Sequence, residues 1–133
     1  MLKRIMFVTD EAIEESLISS IREHGFEVAI EQPDSAYQQA FLTPPDLLVL
    51  DILNADRAID FLKSVRSSAA LNQTSVLVLT AWGTGQATLA LSHGADGFES
   101  KPVDATRLLN AVERLMRPQL VMAATASSKE TRK

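Results

Sequence analysis

Cysteine is absent from this chain of 133 residues. Its absence excludes a disulfide framework and a thiolate metal site, and it is compatible with a reducing compartment. Long hydrophobic runs are absent as well, since the apolar stretches extend over only a handful of residues. The first residues, Met1-Leu2-Lys3-Arg4, lead into a short strand-like run instead of a signal-peptide core. Together these absences predict a cytoplasmic protein without a membrane segment.

Basic residues are fewer than acidic ones. The chain has 13 Lys and Arg against 17 Asp and Glu, for a net charge of −4, and the basic residues are scattered. Nucleic-acid affinity comes mainly from Lys and Arg side chains that neutralise phosphates. The charge balance therefore predicts no direct contact with nucleic acid.

What the sequence does contain is a regular alternation of short β-rich runs and segments with helical periodicity. This alternation predicts an α/β fold, a doubly wound five-stranded parallel sheet with five helices on its two faces. The predicted strands are Lys3–Val8, Phe26–Ile30, Leu47–Asp51, Ser75–Leu79 and Gly97–Ser100.

The predicted helices are delimited mainly by glycine, proline and capping residues. The first extends from about Ala12 to His24, the second from Pro33 to about Leu42, the third includes Ile59 to Val65, the fourth covers Thr84–His93, and the fifth extends from the N-cap Asp104 to Pro118. The length suits one domain, and we predict a folded domain over residues 1–118. The Ala-, Ser-, Thr- and Lys-rich residues 119–133 are predicted to be a flexible tail or the start of a linker.

Side chains that can do chemistry follow four of the predicted strands. The acids Asp10 and Glu11 follow the first strand, Asp51 ends the third, Thr80 follows the fourth and Lys101 follows the fifth. Because the carboxyl ends of parallel strands meet at one edge of the sheet, these groups are expected to converge there. The sequence thus predicts a site centred on Asp51.

Three segments carry a resemblance to a known family: Pro45-Asp46-Leu47-Leu48-Val49-Leu50-Asp51, Thr80-Ala81, and Gly94-Ala95-Asp96-Gly97-Phe98-Glu99-Ser100-Lys101-Pro102. In this order and spacing, the set resembles the receiver domain of bacterial two-component response regulators, over about Lys3 to Arg117. The resemblance implies a flavodoxin-like sheet in strand order 2-1-3-4-5. It also implies that Asp51 accepts phosphate from a histidine kinase or phosphotransfer protein, and that helix 4, strand 5 and helix 5 form the output face.

The resemblance implies a role for each site residue. Mg²⁺ would be held by Asp10, Asp51 and the backbone carbonyl of Leu53, with water completing its shell. Lys101 would supply a positive charge and Thr80 a hydroxyl donor to the phosphoryl oxygens. The Lys101–Pro102 peptide bond is expected to be cis. Phe98 would be the aromatic residue whose rotamer follows phosphorylation.

Each of these residues also has a simpler interpretation. Asp51 could cap the following helix, although Asn54 and Asp56 lie nearer its start. Asp10 could be the N-cap of the first helix, and we expect capping and metal binding together. Thr80 could be an ordinary β-branched strand residue and Lys101 a solvated loop lysine. Phe98 could belong to the core, and Trp82 could be surface packing or a partner contact.

Two departures from the family pattern bear on function. The first of the usual two adjacent acids is replaced by Thr9, which is expected to weaken Mg²⁺ binding although Glu11 could reach the metal through water. The loop Ile52-Leu53-Asn54-Ala55-Asp56-Arg57-Ala58 is also unlike the typical one and is shorter.

The bulky apolar residues Leu53 and Trp82 occupy two positions that tune phosphate lifetime, so hydrolysis of an aspartyl phosphate is expected to be slow.

The sequence is compatible with three functions. The leading hypothesis is a phosphorylation switch, not an enzyme with ordinary turnover, that changes its partner affinity through the output face. The alternative is a degenerate receiver that binds partners without phosphorylation. The third is an aspartyl-phosphate hydrolase, against which Leu53 and the lack of a cap domain argue. Homodimerisation through the helix 4, strand 5 and helix 5 face is compatible with the sequence but is not specified by it.

Overall fold

A computed structural model describes residues 3–81 and 84–125. The strands are β1 (Arg4–Thr9), β2 (Glu27–Glu31), β3 (Leu47–Asp51), β4 (Ser75–Thr80) and β5 (Gly97–Ser100). The helices are α1 (Glu15–Glu23), α2 (Pro33–Leu42), α3 (Ala55–Ser67), α4 (Thr84–Ser92) and α5 (Ala105–Thr125). Within these ranges no helix has the combination of length and apolarity that crossing a membrane requires.

The strands form one parallel sheet in the order β2-β1-β3-β4-β5. This confirms the predicted flavodoxin-like order with five strands and five helices. The chain order reverses direction between β1 and β3, which is the point at which open α/β sheets place their sites. The carboxyl ends of β1 and β3 are paired there, Thr9 beside Asp51.

The two faces of the sheet bury two separate apolar clusters, because successive side chains of a strand point to opposite faces. Met6 and Val8 pack with residues of α2, α3 and α4 on one face. Ile5 and Phe7 pack with residues of α1 and α5 on the other. The run Leu47 to Leu50 in the central strand β3 is fully buried on both faces, at 0% exposure for each residue. Burial of each such side chain stabilises the fold by roughly 1.5–3 kcal/mol relative to an exposed one. The strand that ends at Asp51 is therefore anchored in the core.

Helix α1 begins later than predicted. The expected start near Ala12 is wrong, because α1 begins at Glu15 and its N-cap residue, Glu14, makes no side-chain capping bond. The preceding segment is instead shaped by Thr9, whose hydroxyl donates to the Glu11 carbonyl at 2.8 Å and accepts from the Glu11 amide at 3.1 Å. This local turn diverts the backbone from the helix. Asp10 is therefore not the cap of α1.

Helix α5 ends later than predicted. The expected end at Pro118 is wrong, since α5 continues to Thr125. Proline removes one helical hydrogen bond and crowds the preceding turn. The residues after Pro118 include Leu120, Met122, Ala123 and Ala124, which are strong helix formers that favour continuation. The proposed division into a domain of residues 1–118 and a tail of 119–133 stays a prediction, and residues 126–133 lie outside the described part of the chain.

Candidate functional site

Asp51 is the last residue of β3 and lies at the carboxyl edge of the sheet, as predicted. Only 7% of its surface is exposed. Its Oδ1 accepts a hydrogen bond from the Lys101 Nζ at 2.8 Å, which is an ion pair as well. A buried carboxylate needs such a partner because burial removes its hydration. The structure thus brings Asp51 into contact with Lys101, which was predicted to converge on the same edge of the sheet.

Lys101 is held in place through its backbone. Its amide donates to the carbonyl of Thr80 at 2.8 Å, directly after the register pair Thr80 and Ser100. Thr80 itself ends β4 and is 2% exposed. The Lys101–Pro102 peptide bond is cis, as predicted. The ends of β4 and β5 therefore deliver the hydroxyl residue and the lysine to the edge where Asp51 lies.

Asp10 is exposed and connects two loops across this edge. Both of its carboxylate oxygens accept from the Leu53 amide, each at 3.2 Å. The bond joins the β1–α1 loop to the β3–α3 loop, one residue after Ile52. The carbonyl of Leu53 is the group that the resemblance implies for a metal, and this role stays a prediction beside the observed contact of its amide.

Thr9 occupies the position next to Asp51 in the sheet register and is 4% exposed. Its hydroxyl is engaged with the backbone of Glu11 as both donor and acceptor. At this position, where the resemblance implies an acid, the side chain is neutral and its hydrogen bonds are directed into its own loop. Glu11 is exposed, and its proposed water-mediated contact with a metal stays a prediction.

A cleft of about 270 Å³ opens beside the ion pair. Its charged groups are those of Asp51, Lys101, Glu11 and Glu14. Its apolar walls come from the segment before and into α1, from β4 and from the β5–α5 loop: Ala12, Ile13, Leu17, Leu79, Pro102 and Val103. The cleft gives a small ligand or a partner side chain access to the buried carboxylate.

The simpler interpretation of Asp51 as a helix cap is excluded. Asn54 is the N-cap of α3, and its Oδ1 accepts from the Arg57 amide at 3.0 Å. Phe98 is half-buried and packs against the apolar cluster beneath α2, α3 and α4, in line with its core interpretation. Its rotamer change stays a prediction. Trp82 lies outside the described residues.

One residue at this edge was not singled out from the sequence. Arg107 of α5 donates to the carbonyls of Ser100 and Pro102, at 3.1 Å each, and so contacts the backbone on both sides of Lys101. Its position three residues after the N-cap Asp104 puts it near the loop, but no sequence pattern marks it as a partner of the loop backbone. A lone exposed arginine on a helix carries no such information by itself.

The acids of the site set a limit on metal binding. Among the residues that the structure describes, no group of three or more His, Cys, Asp or Glu side chains could hold a metal ion. Mg²⁺ can be bound by one or two carboxylates when water and backbone oxygens complete its shell. Asp10 and Asp51 therefore suit Mg²⁺ by the chemistry of their oxygens, with fewer acids than a dedicated cage would have.

Comparison with known proteins identifies the fold and the family. Residues 5–113 match the family model of the response regulator receiver domain. The signal receiver domain of a signal transduction histidine kinase from Syntrophus aciditrophicus is 25% identical, with 87% of this chain and 91% of that one covered and a TM-score of 0.76. No curated protein matches the chain significantly.

Two further solved structures share the fold. A response regulator from Desulfuromonas acetoxidans is 22% identical, with 86% of this chain and 97% of that one covered and a TM-score of 0.76. NtrX from Brucella abortus is 23% identical, and the alignment covers 95% of this chain but 29% of that one, with a TM-score of 0.81. The matched region is thus nearly all of the first of these solved chains and less than a third of the second.

Proposed function

We propose a signalling function on the premise that this chain belongs to the response regulator receiver domains, whose family model matches residues 5–113. The protein is a phosphorylation-dependent switch that accepts a phosphoryl group on Asp51 from a phosphohistidine. The observation that carries the proposal is the buried Asp51 carboxylate, paired with Lys101 at 2.8 Å and bordering a cleft. The structure of such a site suits a group transfer in which both reactants are negatively charged.

In the proposed reaction, a carboxylate oxygen of Asp51 attacks the phosphorus atom. The new O–P bond forms as the P–N bond to the donor imidazole breaks, and the imidazole leaves with its electron pair and takes up a proton. Two anionic groups must approach each other, so neutralising charge is the main task of the site. Lys101 already lies within hydrogen-bonding distance of Asp51 and can also bind a phosphoryl oxygen. Thr80 supplies a hydroxyl donor at the neighbouring strand end.

Receiver domains generally bind Mg²⁺ at the acidic pocket, and we extend this to the present chain. Asp10 and Asp51 would hold the ion, together with the Leu53 carbonyl. When bound, the ion supplies the positive charge that one lysine cannot supply alone. The reduced number of acids supports weak binding.

Receiver domains typically interact with histidine kinases or phosphotransfer proteins, and we propose such a protein as the donor. The proposal places the chain in the cytoplasm, where these donors present their phosphohistidines. The output would be read on the face of α4, β5 and α5, by a partner or by a second copy of the chain. Exposed apolar side chains on α4, Leu89 (42%) and Leu91 (39%), support a binding role for this helix.

A specific observation also favours a second candidate. Thr9 replaces an acid beside Asp51 and directs its hydroxyl to the loop backbone. A receiver altered in this way could act as a constitutive interaction module without phosphorylation. The presence of Asp51, Lys101 and Thr80 together at one edge is better explained by the switch, because an interaction module has no need of a buried ion pair that borders a cleft.

The deciding experiment offers the protein a small phosphodonor. The chain is incubated with Mg²⁺ and acetyl phosphate, and phosphate incorporation is followed by intact mass. In parallel, a beryllofluoride phosphate mimic is titrated while Trp82, the single tryptophan, reports by fluorescence. The switch is expected to take up one phosphate and to show a saturable fluorescence change.

The other functions give different results in the same experiment. A constitutive module takes up no phosphate and shows no saturable response at any Mg²⁺ concentration. A hydrolase releases phosphate over many turnovers instead of retaining it. Phosphate release over many turnovers would contradict our proposal that the chain has no enzymatic turnover.

Restoring the missing acid is expected to strengthen metal binding. Thr9→Asp would add a carboxylate beside Asp51 and raise the affinity for Mg²⁺ by about tenfold, because affinity for hard cations rises with the number of anionic ligands. The measurement is a Mg²⁺ titration followed by NMR or Trp82 fluorescence. Thr9→Asn is the matched control, since it has the same size and no charge. Equal affinities for the two variants would contradict the explanation.

An aspartyl phosphate on Asp51 is expected to decay slowly. Leu53 is 59% exposed at the site edge and offers no polar group to orient an attacking water. The measurement is the half-life of the phosphorylated protein after removal of the donor, which should be well beyond seconds. Leu53→Asn should shorten it, because an amide can position a water while the backbone amide that binds Asp10 is retained. A half-life of seconds in the unaltered protein would overturn this prediction.

A further inference from the structure

The position of Lys101 depends on a short connection between β5 and α5. β5 ends at Ser100 and α5 begins at Ala105, so Lys101 has no regular secondary structure of its own. Its amide is bound by the Thr80 carbonyl at 2.8 Å, which fixes one side of the connection to β4. Something must fix the remaining backbone if the flexible lysine side chain is to reach Asp51 reproducibly.

Arg107 provides these contacts from the first turn of α5. Its Nη1 donates to the Pro102 carbonyl and its Nη2 to the Ser100 carbonyl, both at 3.1 Å. The two acceptors belong to the residues immediately before and after Lys101. A guanidinium is planar and presents five donors in a fixed fork, so it can hold two carbonyls in one geometry.

Arg107 is itself held by neighbours on both sides. Its Nη2 also donates to Glu99 Oε1 at 2.9 Å, and the side chain of Glu99 is only 20% exposed. Its backbone amide donates to Asp104 Oδ1 at 2.8 Å, which fixes the start of the helix from which it projects. Because the base of the arginine and its tip are both anchored, the side chain can impose its position on the loop.

We infer that Arg107 is a positioning residue that holds the backbone on either side of Lys101, so that the lysine ammonium is kept against Asp51. The inference rests on the proposed phosphoryl transfer for its functional consequence. Arg107 donates to the loop backbone and to the carboxylate of Glu99. Its proposed effect on the carboxylate of Asp51 is indirect and passes through Lys101. Its removal frees the loop, and Lys101 then spends less time where it can neutralise the reacting groups.

Arg114 provides a matched control on the same helix. It pairs with the other oxygen of Glu99, Oε2, at 3.7 Å, and its side chain is 54% exposed compared with 43% for Arg107. Within the described residues Arg114 makes no hydrogen bond to a carbonyl of the loop. Arg107→Gln and Arg114→Gln therefore each remove one positive charge that is paired with Glu99. Only Arg107→Gln also removes the hydrogen bonds to the loop backbone.

The experiment compares these variants with Arg107→Lys, which keeps the charge but lacks the planar fork that spans two carbonyls. The first readout is the initial rate of phosphate incorporation from acetyl phosphate at fixed Mg²⁺. We expect Arg107→Gln and Arg107→Lys to be slower by about tenfold, a typical consequence of a displaced reacting group. Arg114→Gln should remain within about twofold of the unaltered protein, as surface ion pairs contribute little.

The second readout is the NMR signal of the Lys101 side-chain ammonium, whose exchange with solvent the ion pair with Asp51 is expected to slow. It should persist in the unaltered protein and in Arg114→Gln, and be lost or broadened in both Arg107 variants. A role confined to stability would lower the urea midpoint and leave this signal intact in the folded protein. That result would overturn the inference, as would normal behaviour of Arg107→Lys.

The two readouts separate this inference from the proposed function. If the unaltered protein takes up no phosphate, the proposed function fails, and the ammonium signal still decides whether Arg107 positions Lys101. If phosphate is taken up and the Arg107 variants match Arg114→Gln in both readouts, the positioning role fails and the function stands. The urea midpoint of each variant establishes that the comparison is made between folded proteins.

Discussion

Asp51→Asn is expected to abolish phosphate incorporation, with a loss of about a thousandfold or more, the scale of effect that follows removal of a nucleophile. An amide nitrogen and oxygen in place of the carboxylate cannot form the acyl phosphate. The oxygen of the introduced amide would still accept from Lys101, so the variant should keep a polar contact in place of the ion pair and stay folded. The measurement is intact mass after incubation with acetyl phosphate and Mg²⁺.

The matched control for this change is Asp60→Asn on α3. Asp60 is exposed and is not among the residues that line the cleft, and the substitution removes the same charge from the protein. It should incorporate phosphate like the unaltered chain. Incorporation into Asp51→Asn at a normal rate would mean that another residue accepts phosphate, and the proposed site would then be wrong.

Arg66→Met is expected to lower the free energy of unfolding by about 2–4 kcal/mol, because carbonyls that the guanidinium satisfies would lose their donor. Arg66 projects from the last turns of α3 and is 22% exposed. It donates to the carbonyl of Thr74 at 2.6 Å and to that of Gly94 at 2.9 and 2.7 Å. It also donates to the Asn72 carbonyl at 3.1 Å and pairs with Asp96 at 2.9 Å.

These contacts tie the end of α3 to the segments that lead into β4 and β5. Asp96 continues the network, since its Oδ2 also accepts from the Val76 amide at 2.8 Å. A domain of this size is stable by only about 5–15 kcal/mol, so the predicted loss is a large fraction of the total. The measurement is a urea unfolding curve followed by circular dichroism.

Arg57→Met is the control for Arg66→Met on the same helix. Arg57 is 54% exposed, and its side chain pairs with Asp34 at 3.7 Å. Its loss should change the free energy of unfolding by less than about 0.5 kcal/mol. A similar loss for both variants would show that helix α3 responds to charge removal in general, and not to the loss of the contacts that Arg66 makes.

The strands were predictable to within one residue because they are encoded locally: β3 and β5 end where expected, and β1, β2 and β4 each end one residue later. The run Leu47 to Leu50 is apolar without interruption. In a chain in which strands alternate with helices, this pattern indicates a parallel strand that is buried on both faces. Helix boundaries were less predictable, because hydrogen bonds made by individual side chains can shift them. The start of α1 depends on the turn between Thr9 and Glu11, and the predicted capping role of Asp10 gave way to its contact with Leu53.

The pairing of functional groups was predictable to the extent that it follows from topology. Parallel strands bring their carboxyl ends to one edge, so Asp51, Thr80 and Lys101 were expected together. The contacts of Arg107 and Arg66 were not predictable. Both arginines lie on helices with ordinary charge patterns, and their acceptors are backbone carbonyls, which every residue possesses and no sequence pattern distinguishes.

The sequence alone determined the order of the strands and helices, the edge on which the site lies and the chemical groups available there. It did so because hydrophobic periodicity and the residues that end each element act over a few positions of the chain. Only the tertiary structure decided that Lys101 contacts Asp51, that Asp10 binds the Leu53 amide and that Arg107 holds the loop around Lys101. These contacts depend on elements that are packed together in the fold, and their geometry arises only when the sheet fixes each backbone in space.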